Sequence, residues 1–252
     1  MNNTGSNSIS FNIGGFTLFI QNHNIDNSSS VKDFNWSIVI TSIYMTNSFM
    51  KNDEVKNVVE HCLSPVIINR NYIQQVKEEF TMLSYFLHSF KPHNILEIGC
   101  KGGTFYMFNK FSTGKKVGVD IDDQYQFNMH LYMYNEDFVF IKANSHLEET
   151  YQKVKNTCDS YDFIFIDGDH TYDGVKRDFE LYKSLLSPRG YIGFHDIDPN
   201  HVFKQAANVQ VDQFWKELNY GSKTEIICQR SNAHYYMGSE REHYGGIGLW
   251  QP

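Results

Sequence analysis

The chain has few cysteines, and they form no pattern. Cys62, Cys100, Cys158 and Cys228 are scattered, with no CxxC pair among them. That argues against a disulfide framework or a zinc site and fits free thiols in a reducing compartment. No apolar run approaches the roughly 18 residues needed to cross a bilayer. The polar N-terminus shows neither a basic start nor the apolar stretch of a signal peptide. The expectation is a soluble cytoplasmic protein with no membrane partner. There is no Lys/Arg-rich block, and the formal net charge is −7, so a nucleic-acid backbone is not the expected partner. The GxGxxG fingerprint of a dinucleotide-binding dehydrogenase is also missing.

What is present is enough for a folded enzyme-sized domain. The 252 residues are 41% hydrophobic and 15% aromatic, which fits one α/β domain with an appendage or two small domains. The organising stretch is NILEIGCKGGTFYMF, Asn94 to Phe108. Ile95, Leu96 and Ile98 read as a short buried strand. Gly99, Gly102 and Gly103 then make a turn, and a helix begins. Glycines there allow positive φ and a close backbone approach to a ligand, and the helix start offers free N–H groups to a polar or anionic group. Glu97 sits just before the first glycine. Further on, KVGVDID ends a second apolar strand at Asp120. A glycine loop followed by an acid at the next strand end is the logic of nucleoside binding, the acid taking the ribose hydroxyls.

ExGxxxG with an acidic strand end resembles the class I S-adenosylmethionine (SAM) methyltransferases. The chain departs from their commonest GxGxG pattern, with Lys101 in place of the middle glycine. The resemblance implies SAM as cofactor and Glu97, Gly99, Lys101, Gly103, Asp120, Ile121, Asn144, Ser145 and Asp167 as its contacts. The plain alternative is an ordinary strand–glycine–helix turn of any α/β protein.

The rest of the chain reads in two parts. Residues 1–68 form a small β-rich extension. SISFNI and FTLFIQ flank Gly14-Gly15 as a hairpin, WSIVITSIYM reads as a third strand, and Asp53 to Cys62 reads as a short helix with Val55, Val58, Val59 and Cys62 on one stripe. Its function is not legible. Capping an acceptor site, building a homo-oligomer and plain packing all remain open. Residues 69–252 form the second part. Ile73, Val76, Phe80, Leu83, Leu87 and Phe90 mark an amphipathic helix. Strand and helix patterns then alternate through VGVD, QYQFNMHLYMY, FVFIKAN, YDFIFID, the helical stripe Tyr172–Val175–Phe179–Tyr182–Leu186, the turn SPRG, the strand YIGFHD and a helix around Phe214 and Trp215. TEIICQR and GGIGLW close the chain with no helix between them, so they should pair antiparallel. The predicted fold is α/β: a Rossmann-like seven-stranded, mainly parallel sheet with helices on both faces and an antiparallel last strand, plus the β-rich extension.

In such a sheet the ligand lies beyond the carboxyl ends of the strands. Those ends carry Glu97, Asp120, Asn144, Asp167 and the pair His195-Asp196. The fourth strand runs into DGDH. If the fourth and fifth strands are neighbours, Asp167, Asp169, His170, His195 and Asp196 converge. Carboxylates so close raise each other's pKa unless a cation or a proton separates them. One solution is a hard cation such as Mg²⁺. The other is a general base, Asp169 or His170, for a substrate hydroxyl.

IDGDH…LSPRGYIGFHD, with VDQFWKEL and the closing GIGLW, resembles the branch that includes macrocin-type sugar O-methyltransferases and relatives of cephalosporin hydroxylase. That resemblance runs from about Tyr72 to Trp250. It implies a small-molecule or sugar hydroxyl as acceptor, Asp167, His195 and Asp196 as ligands of a divalent cation, and Asp169 as the base. The His-Asp pair replaces the family's acidic pair, and an imidazole suits ions softer than Mg²⁺. Tyr106, Tyr125, Tyr132, Tyr134 and Tyr172 are candidates to ring a sugar, or are core and surface residues. A second reading keeps the fold as a non-catalytic scaffold acting through the N-terminal unit.

Overall fold

The computed structural model describes residues 7–13, 16–22, 53–62, 75–100, 103–122, 137–200, 208–227 and 245–252, the first two segments as backbone course only. Nine strands form one sheet: β1 (Asn7–Ile13), β2 (Phe16–Asn22), β3 (Ile95–Ile98), β4 (Lys116–Asp120), β5 (Phe138–Lys142), β6 (Tyr161–Ile166), β7 (Leu186–His195), β8 (Ser222–Ile227) and β9 (Ile247–Gln251). Six α-helices are described: α1 (Asp53–Cys62), α2 (Lys77–Phe90), α3 (Gly103–Phe111), α4 (Glu148–Thr157), α5 (Tyr172–Tyr182) and α6 (Val211–Glu217).

The strand order is β1-β2-β8-β9-β7-β6-β3-β4-β5. β3 pairs parallel with both β4 and β6, and β4–β5 and β6–β7 are also parallel. β9 runs antiparallel between β7 and β8, so the closing pair is antiparallel as the sequence requires. The seven strands β3 to β9 make the expected Rossmann-like sheet. The chain leaves β3 toward β4 and β5 and returns on the other side of β3 as β6. This reversal of direction is the switch point at which open α/β sheets bind ligands.

The two faces of the sheet are sorted by alternation, although almost every central residue is buried. Ile95, Phe163 and Phe165 pack with Val55, Val59 and Cys62 of α1, Phe80, Leu83 and Leu87 of α2, and Phe105 and Phe108 of α3. Leu96, Ile98, Ile164 and Ile166 pack on the other face with Val154 of α4, Val175, Phe179 and Tyr182 of α5, and Phe214 and Trp215 of α6. Each such side chain withdrawn from water contributes about 1.5–3 kcal/mol. Of the apolar stripe read over 73–90, Phe80, Leu83 and Leu87 lie on the buried face of α2, Val76 is buried just before it and Phe90 is half-buried at its end, while Ile73 lies outside the described residues; the short helix over 53–62 buries Val55, Val59 and Cys62.

The N-terminal hairpin forms as read, with Ile13 opposite Phe16. It does not stand as a separate sheet. β2 pairs antiparallel with β8 from Thr17↔Ile227 to Asn22↔Ser222, extending the main sheet, and α1 joins the helical layer of α2 and α3. The strand read in WSIVITSIYM, the boundary at 68, the helix in QYQFNMHLYMY and the segment 231–244 lie outside the described residues.

One strand differs from the sequence reading. Leu186 was expected to close the helical stripe begun at Tyr172 and SPRG to turn the chain before YIGFHD, but α5 ends at Tyr182 and β7 begins at Leu186 and runs through SPRG. Tyr161 pairs with Leu186 and the register then shifts before Phe163 meets Tyr191. The extra residues are absorbed as an irregularity at the strand's start, where Pro188 and Arg189 stay exposed.

Candidate active site

The parallel register sets the strand tips side by side. Ile98 pairs with Val119 and Ile166. The Gly99 N–H donates to the Val119 carbonyl at 2.9 Å, and the Asp167 N–H donates to the Ile98 carbonyl at 2.8 Å. Gly99 has φ +85°, and a Cβ there would lie 2.0 Å from the Asp167 carbonyl oxygen. Only glycine fits this crossing of two strand ends. A cleft of about 440 Å³ opens above it, lined among others by Gly99, Asp120, Ile121, Asn144, Ser145 and Asp167.

Asp120 is 8% exposed at the tip of β4, and its Oδ1 accepts from the Asp122 N–H at 2.8 Å. Ile121 is 71% exposed beside it, an apolar stretch of the cleft wall. Asn144 folds its Oδ1 onto the His146 N–H at 2.9 Å, and the Ser145 carbonyl accepts from the Tyr182 hydroxyl at 2.8 Å. Six of the nine expected cofactor contacts therefore line the cleft. Lys101 lies outside the described residues. Gly103 opens α3 and is not among the lining residues.

Glu97 is placed differently from the expectation. It is fully buried behind the glycine loop and is not on the cleft wall. Strand alternation turns it away from the ligand side, and it accepts from the Thr104 hydroxyl in the first turn of α3. Burial is the main cause that pushes its carboxyl up to about 8, against hydrogen bonds from Thr104 and Cys100 that hold it down. Its work is to fasten the helix start to β3.

Next to the cleft, the ends of β6 and β7 bring together the residues read from DGDH and HD. His195 is buried, with Nδ1 3.0 Å from Asp167 Oδ1 and 3.3 Å from Asp196 Oδ1. Burial opposes charging this imidazole. The Asp167 and Asp196 carboxylates, with Glu79 behind them, outweigh it and push the pKa to about 10. His170 faces Asp196 from the open side, its Nδ1 2.8 Å from Asp196 Oδ2 and its side chain 36% exposed. Its pKa is also raised: burial opposes protonation, and the Asp196 hydrogen bond and charge overcome it. Asp196 has φ +63°, an uncommon conformation for a side-chain-bearing residue and one concentrated at functional sites.

Among the described residues, Asp167, His170 and Asp196 have ligand atoms within 4.8 Å of one another. The expected set contained His195 instead of His170. The structure turns His195 Nδ1 inward as the partner of both carboxylates, so His170 is the imidazole on the open side. Asp169, an expected base, is exposed at the cleft rim. Its Oδ1 accepts from the Thr171 N–H at 2.9 Å, and its carboxyl packs at Gly174 in the first turn of α5.

Tyr106 and Tyr172 do not line the cleft. Tyr106 packs against His61 with the rings tilted by 36°, and the Tyr172 hydroxyl bonds Glu217 on the surface. Tyr125, Tyr132 and Tyr134 lie outside the described residues.

Four residues escaped the sequence reading. Gln75 donates to Asp167 Oδ2 at 3.4 Å, and nothing local in the sequence marks it. Glu79 reaches from α2 to the Gly246 N–H at 2.9 Å. Asp178 is buried on α5, next to His146 on the loop after β5. Glu79 and Asp178 did carry a signal. Each is an acid on the apolar stripe of its helix, three residues after Val76 and Val175 respectively.

The strand order 5-4-3-6-7-9-8, with a glycine crossing and an acidic β4 tip at the switch point, is the class I methyltransferase fold. Residues 96–197 match the family model described as a methyltransferase domain. The chain is 28% identical over 153 residues to an uncharacterized protein of Sinorhizobium fredii, covering 53% of this chain and 16% of that protein. It is 32% identical over 89 residues to the ribosomal RNA large subunit methyltransferase E of Borrelia duttonii, covering 34% of this chain and 43% of the relative. The match thus spans less than half the length of either. An O-methyltransferase from Bacillus cereus, solved in complex with S-adenosylhomocysteine (SAH), superimposes with TM-score 0.52 at 16% identity, covering 79% of this chain and 90% of that one. Among the described residues no helix is long and apolar enough to cross a membrane.

Proposed function

We propose that the protein is a SAM-dependent O-methyltransferase that acts on a hydroxyl of a small molecule, a sugar or glycan in particular. The observation that carries the reading is the cleft at the switch point, with an acid at the β4 tip, an exposed apolar wall and an Asp–His pair at its far side. The residues present fit the cofactor. Asp120 would take the ribose hydroxyls, Ile121 would cover one face of the base, and Asn144 and Ser145 would line its edge. SAM, when bound, supplies a methyl group already activated on a sulfonium sulfur.

The chain's own work is then to align an acceptor oxygen and remove its proton. His170 suits the proton transfer. Asp196 holds Nδ1 in place, which leaves Nε2 for the acceptor hydroxyl, and Asp196 would stabilise the charge that forms on the ring. Asp169 and Thr171 shape the turn that presents His170. The carboxylates on the cleft wall, Asp120, Asp122, Asp167 and Asp169, disfavour a polyanionic acceptor and support a neutral one over nucleic acid.

Asp167, His170 and Asp196 also fit a divalent cation, Mg²⁺ or a softer ion that an imidazole prefers. It would lower the pKa of the acceptor hydroxyl and orient it. At His170 Nδ1 the two roles exclude each other. Activity that survives chelation assigns His170 as base, and activity lost and restored by added metal assigns the cation.

The test is direct. SAH should raise the thermal midpoint of the full chain, as any ligand well above its Kd does, and labelled SAM should methylate members of a sugar and phenol panel. No thermal shift with SAM or SAH would favour the scaffold reading instead.

A further inference from the structure

The buried face of α5 contains a carboxylate that packing alone would not choose. Asp178 follows Val175 by three residues and precedes Tyr182 by four, and all three are buried. Asp178 is 0% exposed, and neither of its carboxylate oxygens has a hydrogen-bond partner among the described residues. A buried charge left so is costly unless another group answers it. Two groups lie between it and the cleft. A Cβ on Gly168 would be 3.6 Å from Asp178 Oδ2, and His146 Nε2 is 3.6 Å from Asp178 Oδ1. Both Gly168 and His146 line the cleft.

The loop after β5 is tied to α5 at this point. The Tyr182 hydroxyl donates to the Ser145 carbonyl at 2.8 Å, and Arg177 Nη2 reaches the His146 carbonyl at 3.5 Å. His146 Nε2 is buried, yet its side chain is 27% exposed. The ring therefore keeps one nitrogen against Asp178 while the rest of it faces the cleft. The charged groups acting on it are Asp178 and Arg177 of α5 and Asp169 of the turn after β6. The Asp178 carboxylate is the largest influence and raises the imidazole pKa, burial opposes it, Asp169 adds to the rise and Arg177 subtracts.

We propose that Asp178 is a positioning residue of the cofactor cleft: it holds His146 with Nε2 turned inward, so that Nδ1 is left to meet the base edge of a bound adenine nucleoside. The inference rests on the reading that this cleft takes SAM. With Nε2–H committed to the carboxylate, Nδ1 is an acceptor in the neutral ring and a donor in the charged one. Adenine presents both an amine hydrogen and ring nitrogens.

The test uses the full chain, SAH as probe and calorimetry. Asp178→Asn and His146→Gln should each weaken SAH by about tenfold, and the double variant should be no weaker than His146→Gln alone. The His146 imidazole, followed by NMR, should titrate closer to 6.5 in Asp178→Asn. Losses that multiply in the double variant would show Asp178 acting elsewhere and overturn the inference. So would parental binding by His146→Gln, which decides the matter even if Asp178→Asn does not fold. If Asp120→Ala loses SAH while His146→Gln does not, the cleft reading stands and this inference falls. If the parent binds no SAH, both fall.

Discussion

Glu97 gives the sharpest measure of how the glycine loop is held. It is fully buried, and burial above all pushes its carboxyl from 4.5 to about 8, with Asp167 and Asp120 adding to the rise. The unfolded chain releases this proton near 4.5, while the native state keeps it until about 8. In that window the native state binds more protons than the unfolded one, so stability must fall as pH rises. The contribution is complete below the unfolded value and lost by the time pH has passed the folded one. The slope approaches about 1.4 kcal/mol per pH unit, so the loss traceable to this residue is roughly 4–5 kcal/mol over the whole window. Glu97→Gln removes the titration and keeps an oxygen to accept from Thr104. Urea unfolding at intervals from pH 5 to 8.5 should show parent and variant close together at the acid end. At the alkaline end the variant should be more stable by roughly 3–5 kcal/mol. Because Glu97 lies behind the loop, SAH affinity should change little. Two stability curves that run parallel across the window would show that Glu97 is not buried as a proton-binding group, and the account of the loop's fastening would be wrong.

Other outcomes follow from the same geometry. Asp120→Ala should abolish the thermal shift produced by SAH and weaken its calorimetric affinity more than about tenfold. Gly99→Ala combines positive φ with a 2.0 Å approach to the Asp167 carbonyl, and should destabilise the chain by more than about 3 kcal/mol in urea or prevent soluble expression. His170→Ala should lower turnover by about 10²–10⁴-fold with SAH affinity preserved, seen as a fall in kcat in a methyl-transfer assay. Parental turnover in that variant would remove His170 from the chemistry.

Local pattern suffices where burial is uniform along an element. The apolar runs at 95–98, 116–120 and 161–166 read as strands because central parallel strands are buried on both faces and leave an unbroken apolar signature. The stripe of α2 read as a helix because only one face is buried. The strand ends read as sites because a polar residue after a buried run has little reason to be there except to meet solvent or a ligand. SPRG misled because proline and glycine are turn residues in isolation, whereas here they lie inside β7, in the stretch where its register against β6 shifts.

The sequence by itself determined the order of strands and helices, the acids and imidazoles at the strand tips, and the glycine turn beneath the cleft, since these follow from local periodicity and chain direction. Only the tertiary structure decided which neighbours those groups meet. It put Glu97 behind the loop, made His195 the inward partner of both carboxylates and His170 the outward one, joined the N-terminal hairpin to β8, and set Asp178 against His146. Such choices depend on contacts between segments far apart in the chain, where packing selects one of the two sides a strand offers, and no local pattern records which side that will be.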